Sequence, residues 1–281
     1  MTTTESLPRK QFVRQCIFCG ADGVTKEHVY PRWMRNYLPN DLRTDHQVSL
    51  KTQELHTGTN QHTHYEQPGA MNKTGALRSR KLEVVCQSCN GGWMSMLQSE
   101  AKRPLEQMIH GRFGYRTLKA QASIASWACM FTTIHERGHV PTATVNFHQR
   151  QKFMAAKLPP PGWLVWIGRS SDSLASAHFG FHRGFGISKV LSPDIPMDTQ
   201  LTFAQMGRLC LLTFSTIKEP HGMLRDQLLQ VTAGHAGFRP VWPPSERPIF
   251  EDPVPFPEIS AEIAGTLIAD LSKVIMQFID L

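Results

Sequence analysis

The sequence predicts an α+β protein in which an N-terminal zinc-stapled module precedes a mixed α+β domain with a C-terminal helix. Two CxxC pairs, separated by residues 20–85, predict the first part. Short β-rich segments bounded by Gly, Pro and Ser predict a sheet in the second part. Apolar residues recur at helical spacing through 258–280, which predicts the final helix. We place the module at residues 12–112 and the second domain at residues 117–281.

The first module is predicted to contain a strand beside each CxxC pair. A short strand over 27–30 follows the first pair, and Pro31 suits the first turn of a short helix. The polar stretch 39–76 shows no sustained period, so we predict a long inserted loop. Residues 81–86 are predicted to be a strand, and Pro104 is expected to kink or divide the helix after it. That helix is predicted from an apolar stripe of Trp93, Leu97, Ala101, Leu105 and Met108.

The second domain carries structure signals but no catalytic motif. Its predicted elements are helices over 117–137 and 146–157 and strands over 163–168, 177–181 and 207–214. Residues 239–257 are rich in proline and are predicted to be irregular. We therefore expect an accessory α+β domain that packs, binds a protein partner or contributes specificity.

Excess positive charge is confined to the first 120 residues. The whole chain has 30 Lys and Arg and 23 Asp and Glu. Residues 1–120 contain 17 of the basic residues and 10 of the acidic ones. Their excess of seven equals the net charge of the whole chain, so the remainder is neutral. A basic region beside a metal site favours an anionic partner, most often nucleic acid. The alternative is a solvated, slightly basic surface.

Composition also predicts a soluble cytoplasmic protein without a membrane partner. No apolar run approaches the roughly 18–20 residues that a bilayer requires. The N-terminal residues lack the basic and apolar regions of a secretory signal. In a reducing compartment, CxxC pairs are metal ligands more often than disulfides.

The four cysteines Cys16, Cys19, Cys86 and Cys89 have the spacing of a zinc site. Four thiolates would surround the ion at about 2.3 Å and leave no open position for water. We therefore expect a structural zinc that is not the catalyst. A redox role for the pairs is disfavoured, because neither lies in a thioredoxin-like βαβ pattern.

Three further residues could carry chemistry. Glu27 and His28 are adjacent, so in a strand their side chains would face opposite ways. The Glu27 carboxylate and the Asn90 amide oxygen are hard ligands that suit Mg²⁺. A neutral His28 imidazole could accept a proton from water. Alternatively, Asn90 caps the helix that begins there.

These residues together resemble the HNH, or ββα-metal, nuclease family in its zinc-stapled form. The matching pattern is Cys16-x2-Cys19, then Glu27-His28-Val-x-Pro31, then Cys86-x2-Cys89-Asn90. The resemblance covers residues 12–110 and implies an endonuclease that hydrolyses phosphodiester bonds. It implies that His28 is the general base and that Glu27 and Asn90 are ligands of a catalytic Mg²⁺ or Mn²⁺. It also implies that the four cysteines bind structural zinc.

The chain departs from the family pattern at several positions. The acidic residue is Glu where Asp is more common, and the middle Asn before the second CxxC is replaced by Arg80 or Lys81. Asn60 and Asn72 in the insertion are the candidates to substitute for it. Met94 stands where many members have a second helix ligand. These departures favour the alternative function, a non-catalytic zinc module that binds nucleic acid or a protein partner.

Basic side chains near the motif are candidate nucleic-acid contacts, with a solvated face as the alternative. The candidates are Arg78, Arg80, Lys81, Lys102 and Arg103. Four histidines of the insertion, His46, His56, His62 and His64, could reach phosphate or metal. We interpret them as solvated.

Overall fold

A two-stranded sheet and an eight-stranded sheet organise the α+β structure. The protein is described here by a computed structural model. It describes residues 14–37, 47–56, 62–67, 80–114, 117–138, 140–171, 178–188, 197–217, 221–235, 237–244 and 257–279.

The small sheet carries the motif residues. Strand β1 (Val24–His28) pairs antiparallel with β4 (Lys81–Cys86), and a bulge lies between Thr25 and Lys26. Helix α1 (Gln87–Cys89), a π-helical segment (Asn90–Met94) and α2 (Ser95–Ile109) follow without interruption. The result is a strand–strand–helix unit.

Two local predictions for this unit need correction. The first strand covers Val24–His28 rather than 27–30, because its ladder with β4 ends at His28 and a 3₁₀ helix (Arg32–Asn36) begins after Pro31. Of the two outcomes predicted for Pro104, a kink or a division, division is wrong, because α2 continues through this residue.

The large sheet has the strand order β10–β5–β8–β7–β6–β2–β3, with β9 also paired to β5. Most neighbours are antiparallel, whereas β2–β6 and β10–β5 are parallel. Its strands are β2 (Gln47–His56), β3 (His62–Gln67), β5 (Trp163–Ser170), β6 (His178–Ser188), β7 (Thr199–Met206), β8 (Leu209–Thr216), β9 (Phe238–Trp242) and β10 (Glu258–Ile259).

The prediction that 39–76 is a loop is wrong for residues 47–56 and 62–67. They form β2 and β3, and β2 pairs with β6 over nine residues. Backbone pairing with a strand more than 120 residues later in the chain supplies the hydrogen bonds, so the segment does not need a strong apolar alternation of its own. The insertion thereby extends the large sheet.

The remaining helices lie in the second half of the chain: α3 (Leu118–His135), α4 (Phe147–Ala156), α5 (His221–Gly234) and α6 (Ala261–Ile279). The predictions for α3, α4 and α6 are confirmed within a few residues. Helix α5 and strand β7 were not predicted, because neither segment has a strong period. The prediction that 239–257 is irregular is wrong for residues 239–242, which belong to β9 and pair with β5. In the described parts of the chain, no helix is long and apolar enough to cross a membrane.

The two faces of the large sheet bury different cores, as its alternating side chains require. Val165 and Ile167 face a core shared with α2, α3 and the small sheet. Leu164 and Trp166 face a second core shared with α5 and α6. The strand–strand–helix unit therefore packs against the rest of the protein through the first core.

Candidate functional site

The four cysteines of the two CxxC pairs converge on one point. Their Sγ atoms all lie within 4.8 Å of one another, and Cys19 Sγ is 3.6 Å from Cys86 Sγ. Tetrahedral zinc with Zn–S bonds of about 2.3 Å requires sulfur atoms about 3.8 Å apart. The cluster fits such an ion, and within the described ranges it is the only group of three or more His, Cys, Asp or Glu that does so.

Backbone hydrogen bonds shape the first cysteine pair into a tight knuckle. Gly20 N donates to Cys16 O at 2.9 Å, and Cys16 N donates to Ala21 O at 2.8 Å. Gly20 has a φ of 76°, in the left-handed region that glycine tolerates without cost. Val84 is the residue of β4 that the bulge leaves without a partner on β1, and its carbonyl oxygen accepts from Ile17 N at 2.9 Å. This bond holds the knuckle beside the second cysteine pair.

The pKa values of the cluster's thiols shift in different directions. Burial raises the pKa of Cys86, but hydrogen bonds from Ser88, the Cys89 backbone and Cys19 outweigh burial and lower this pKa to about 6. Burial dominates at Cys89 and Cys19, where it raises the pKa. A thiolate is the form that binds metal. Cys86 is therefore ready to ligate at neutral pH, and a bound cation would draw the protons from the others.

Arg150 of α4 connects the first knuckle to the second half of the chain. Its Nε donates to Ile17 O at 2.6 Å, and its Nη1 donates to Val145 O. Beside it, the buried Glu136 carboxylate accepts from the Thr144 backbone N at 2.9 Å. The cysteine cluster is thus held from outside the strand–strand–helix unit.

Glu27 points towards the helix that follows the second cysteine pair. Gln98 Nε2 donates to Glu27 Oε1 at 3.3 Å, and the Asn90 side chain also hydrogen-bonds to this carboxylate. Glu27 is 6% exposed. Burial raises the pKa of Glu27, although hydrogen bonds from Asn90 and Gln98 oppose the increase. A buried carboxylate with amide neighbours can accept a divalent cation, which would restore its charge.

Asn90 does not cap a helix. It lies inside the continuous helical run, and the structure records no side-chain capping bond at its start. Instead, Asn90 Nδ2 donates to Thr25 Oγ1 at 3.4 Å and the amide contacts Glu27. The side chain therefore joins β1 to the helix, and rotation of the amide would turn its oxygen towards Glu27.

His28 contacts a different element from Glu27, as alternation along a strand predicts. Arg35 Nη2 lies 2.9 Å from His28 Nε2. His28 is 7% exposed, and burial lowers its pKa, with further decreases from the charges of Lys81, Arg35 and Arg32. The imidazole is therefore neutral at pH 7 and surrounded by cations.

The predicted nucleic-acid contacts lie in different environments. Lys81 is exposed and pairs with His28 across the ladder. The Arg80 guanidinium is largely buried near Tyr30, and burial lowers its pKa. Lys102 and Arg103 are exposed on α2, and Lys102 is 3.8 Å from Glu106.

For the other predicted residues, the structure describes either the backbone alone or nothing. Arg78, His46, Asn60 and Asn72 lie outside the described residues. His56 and His62 are backbone partners in the β2–β3 hairpin, where His64 pairs with Glu54.

Sequence reasoning missed three residues of the site: Arg32, Arg35 and Gln98. Arg32 and Arg35 are three residues apart and follow Pro31, so the sequence could have predicted that they share one face of a short helix. Gln98 gave no local signal, because its contact with Glu27 depends on the packing of α2 against β1. Met94, which stands at the second helix-ligand position of the HNH pattern that the sequence resembles, is fully buried in the core.

Comparison with known proteins adds no family assignment. No family model, curated protein or solved structure matches the chain.

Proposed function

We propose that this protein is an HNH-type endonuclease that uses Mg²⁺ or Mn²⁺ to hydrolyse phosphodiester bonds in nucleic acid, preferentially DNA. The arrangement of two adjacent residues carries the proposal. Glu27 meets Asn90 and Gln98 on one side of β1, and neutral His28 meets arginine on the other. In the proposal, one phosphodiester at the end of β1 contacts the metal ligand on one side of the strand and the base on the other.

In this proposal each group of residues has a separate role in catalysis. His28 accepts a proton from the water that attacks phosphorus, which its lowered pKa permits at neutral pH. Glu27 and Asn90 hold the divalent ion through oxygen, and the ion when bound supplies positive charge to the phosphate oxygens. Lys81, Arg32 and Arg35 attract the anionic backbone. The family resemblance implies products with 5′-phosphate ends.

The proposed zinc has no part in this chemistry. Four thiolates would fill its coordination shell, so no position remains for water. Its role is to fix the end of β4 and the start of the helix relative to the first knuckle. That arrangement brings Asn90 next to Glu27.

Plasmid nicking by purified protein in Mg²⁺ or Mn²⁺ tests the proposal. His28→Ala should reduce the rate by about 10²–10⁴-fold, the usual loss when a general base is removed. His148→Ala is the matched control, because His148 is exposed on α4 and far from the motif in sequence. Equal nicking by wild type and His28→Ala would remove His28 from the mechanism.

A non-catalytic zinc module that binds nucleic acid or a protein partner remains the second candidate. Met94 favours it, because a buried thioether cannot serve as the second helix ligand for a hard cation. In that case Glu27 and Asn90 form only a buried polar contact. Retention of DNA by a wild-type protein that never nicks it would support this candidate.

A further inference from the structure

The hydrogen bond between Arg35 and His28 fixes the tautomer of the imidazole. A guanidinium has only donors and stays protonated, so Arg35 Nη2 must be the donor at 2.9 Å. His28 Nε2 is therefore the acceptor and carries the lone pair. An imidazole whose Nε2 accepts a hydrogen bond through its lone pair holds its single proton on Nδ1.

This tautomer is unsuitable for a general base. A neutral imidazole has one lone pair, and here Arg35 holds it. If Nε2 is the base, Arg35 must leave to let water approach. If Nδ1 is the base, the proton must move to Nε2, and Arg35 must leave as well. Either route requires the same bond to break.

An anionic phosphate would break it. The Arg35 donor is charged in both cases, but His28 is a neutral acceptor whereas a phosphate oxygen is anionic, so the bond to phosphate also gains the attraction between opposite charges. Arg35 is exposed at the end of its 3₁₀ helix, while the buried Met34 beside it anchors that helix in the core. The guanidinium can therefore turn to solvent without moving the backbone. Arg32 and Lys81 lie close enough to His28 to influence it and would attract the same anion.

We propose that Arg35 is a substrate-released latch on His28. In the ligand-free protein it holds the lone pair of the base, and a phosphodiester draws it away so that the base becomes available. The reactive form of His28 is then present only when nucleic acid is bound. The catalytic meaning of the latch rests on the proposed nuclease function, whereas the tautomer switch itself does not.

Nitrogen-15 NMR of the histidine side chains tests the latch in full-length protein without added Mg²⁺. His28→Ala identifies the His28 signals. In chloride buffer, wild-type His28 should be the Nδ1–H tautomer with a hydrogen-bonded Nε2. Dimethyl phosphate at equal ionic strength should shift Nε2 away from its hydrogen-bonded position or move the proton to it. Arg35→Ala should give the released spectrum with either anion.

Arg32→Ala is the matched control, because it removes a nearby positive charge but leaves the Arg35 bond. In chloride buffer, where no phosphate is bound, Arg32→Ala should keep the wild-type tautomer. An Nε2–H tautomer in wild type, or identical His28 spectra in wild type and Arg35→Ala, would overturn the latch. These spectra need no cleavage, so a protein that fails to nick DNA but shows the switch contradicts only the nuclease proposal. Nicking that depends on His28 without any switch contradicts only the latch.

Discussion

Glu27 and His28 are neighbours whose pKa values shift in opposite directions for the same reason. Burial disfavours the charged form of each, so it raises the pKa of Glu27 and lowers that of His28. For a base that must be neutral, the shift at His28 is useful at once. For a metal ligand that must be charged, the shift at Glu27 is offset only when a cation binds.

The raised pKa of Glu27 predicts that the free energy of unfolding depends on pH. The folded protein binds this proton more tightly than the unfolded chain, so stability falls as pH rises from 4.5, the ordinary value, through the folded pKa. Glu27→Gln removes that loss. In urea unfolding without added Mg²⁺, the variant should gain stability relative to wild type as pH rises from about 4.5 to 7.

Magnesium should reverse the comparison, because in the proposed site wild type would bind the ion through the Glu27 carboxylate and the variant lacks that charge. A pH dependence shared by both proteins would show that Glu27 has an ordinary pKa and is not the buried group described here.

At this scale the sequence predicted the cysteine cluster from the types and spacing of its residues, and the four Sγ atoms do converge. It also singled out Glu27, His28 and Asn90, of which Glu27 and Asn90 are in contact, while their catalytic roles remain a proposal. It did not identify Arg35 or Gln98. Their roles come from contacts across elements, which local spacing alone does not encode.

Among the elements, the helical run after Cys86 brings the site together. Asn90 lies in its π-helical segment and Gln98 lies in α2, yet both reach Glu27. Side chains on a helix lean towards its N-terminus, which lets the long Gln98 side chain reach back. The run therefore supplies two amides to one carboxylate.

Gln98 should support metal binding. Gln98→Ala removes a donor that orients Glu27, and loss of such outer contacts weakens metal affinity by roughly 10–100-fold. Mn²⁺ titration followed by electron paramagnetic resonance measures the affinity. Gln107→Ala, the same substitution further along α2, should leave it unchanged. Equal affinities for all three proteins would separate Gln98 from the site.

The cysteine knuckles should account for all bound zinc. Cys89→Ala should lose zinc and unfold at lower denaturant, because a four-ligand site contributes directly to folding. Cys129→Ala is the control, because Cys129 is also buried but lies outside the cluster. Elemental analysis should find one zinc per chain in wild type and control. Retention of that zinc by Cys89→Ala would refute the assignment.

Helix α6 was predictable because one helical period dominates its apolar residues, and α3 was predictable from the continuous apolar run in its middle. The insertion was not, because β2 and β3 gain their hydrogen bonds from a distant sheet edge. Helix α5 and strand β7 have weak patterns, and their burial within the fold determines their structure.

Across the whole molecule, one core joins the motif to the second half of the chain. The Tyr30 and Phe131 ring centroids are 5.3 Å apart, and those of Phe18 and Phe153 are 6.3 Å apart. Both pairs bridge the predicted boundary between 112 and 117. The boundary remains a prediction, and the contacts indicate that the second half supports the site.

Arg150 offers a direct test of that support. Arg150→Met removes its bonds to Ile17 O and Val145 O and should cost about 1.5–3 kcal/mol of unfolding free energy. It should also speed zinc release to a chelator, because the first knuckle loses its external contact. Lys152→Ala, exposed on the same helix, should change neither. Unchanged zinc release in Arg150→Met would show that the knuckle does not depend on the second half.

The proposed zinc is structural and separate from the proposed reactive site at Glu27, His28 and Asn90. The most direct test measures zinc content and Mg²⁺-dependent plasmid nicking on the same preparations of wild type and Glu27→Ala. Both should hold one zinc per chain, and only wild type should nick, and only with added Mg²⁺ or Mn²⁺. Nicking by zinc-loaded wild type without a second metal, or equal nicking by Glu27→Ala, would contradict it.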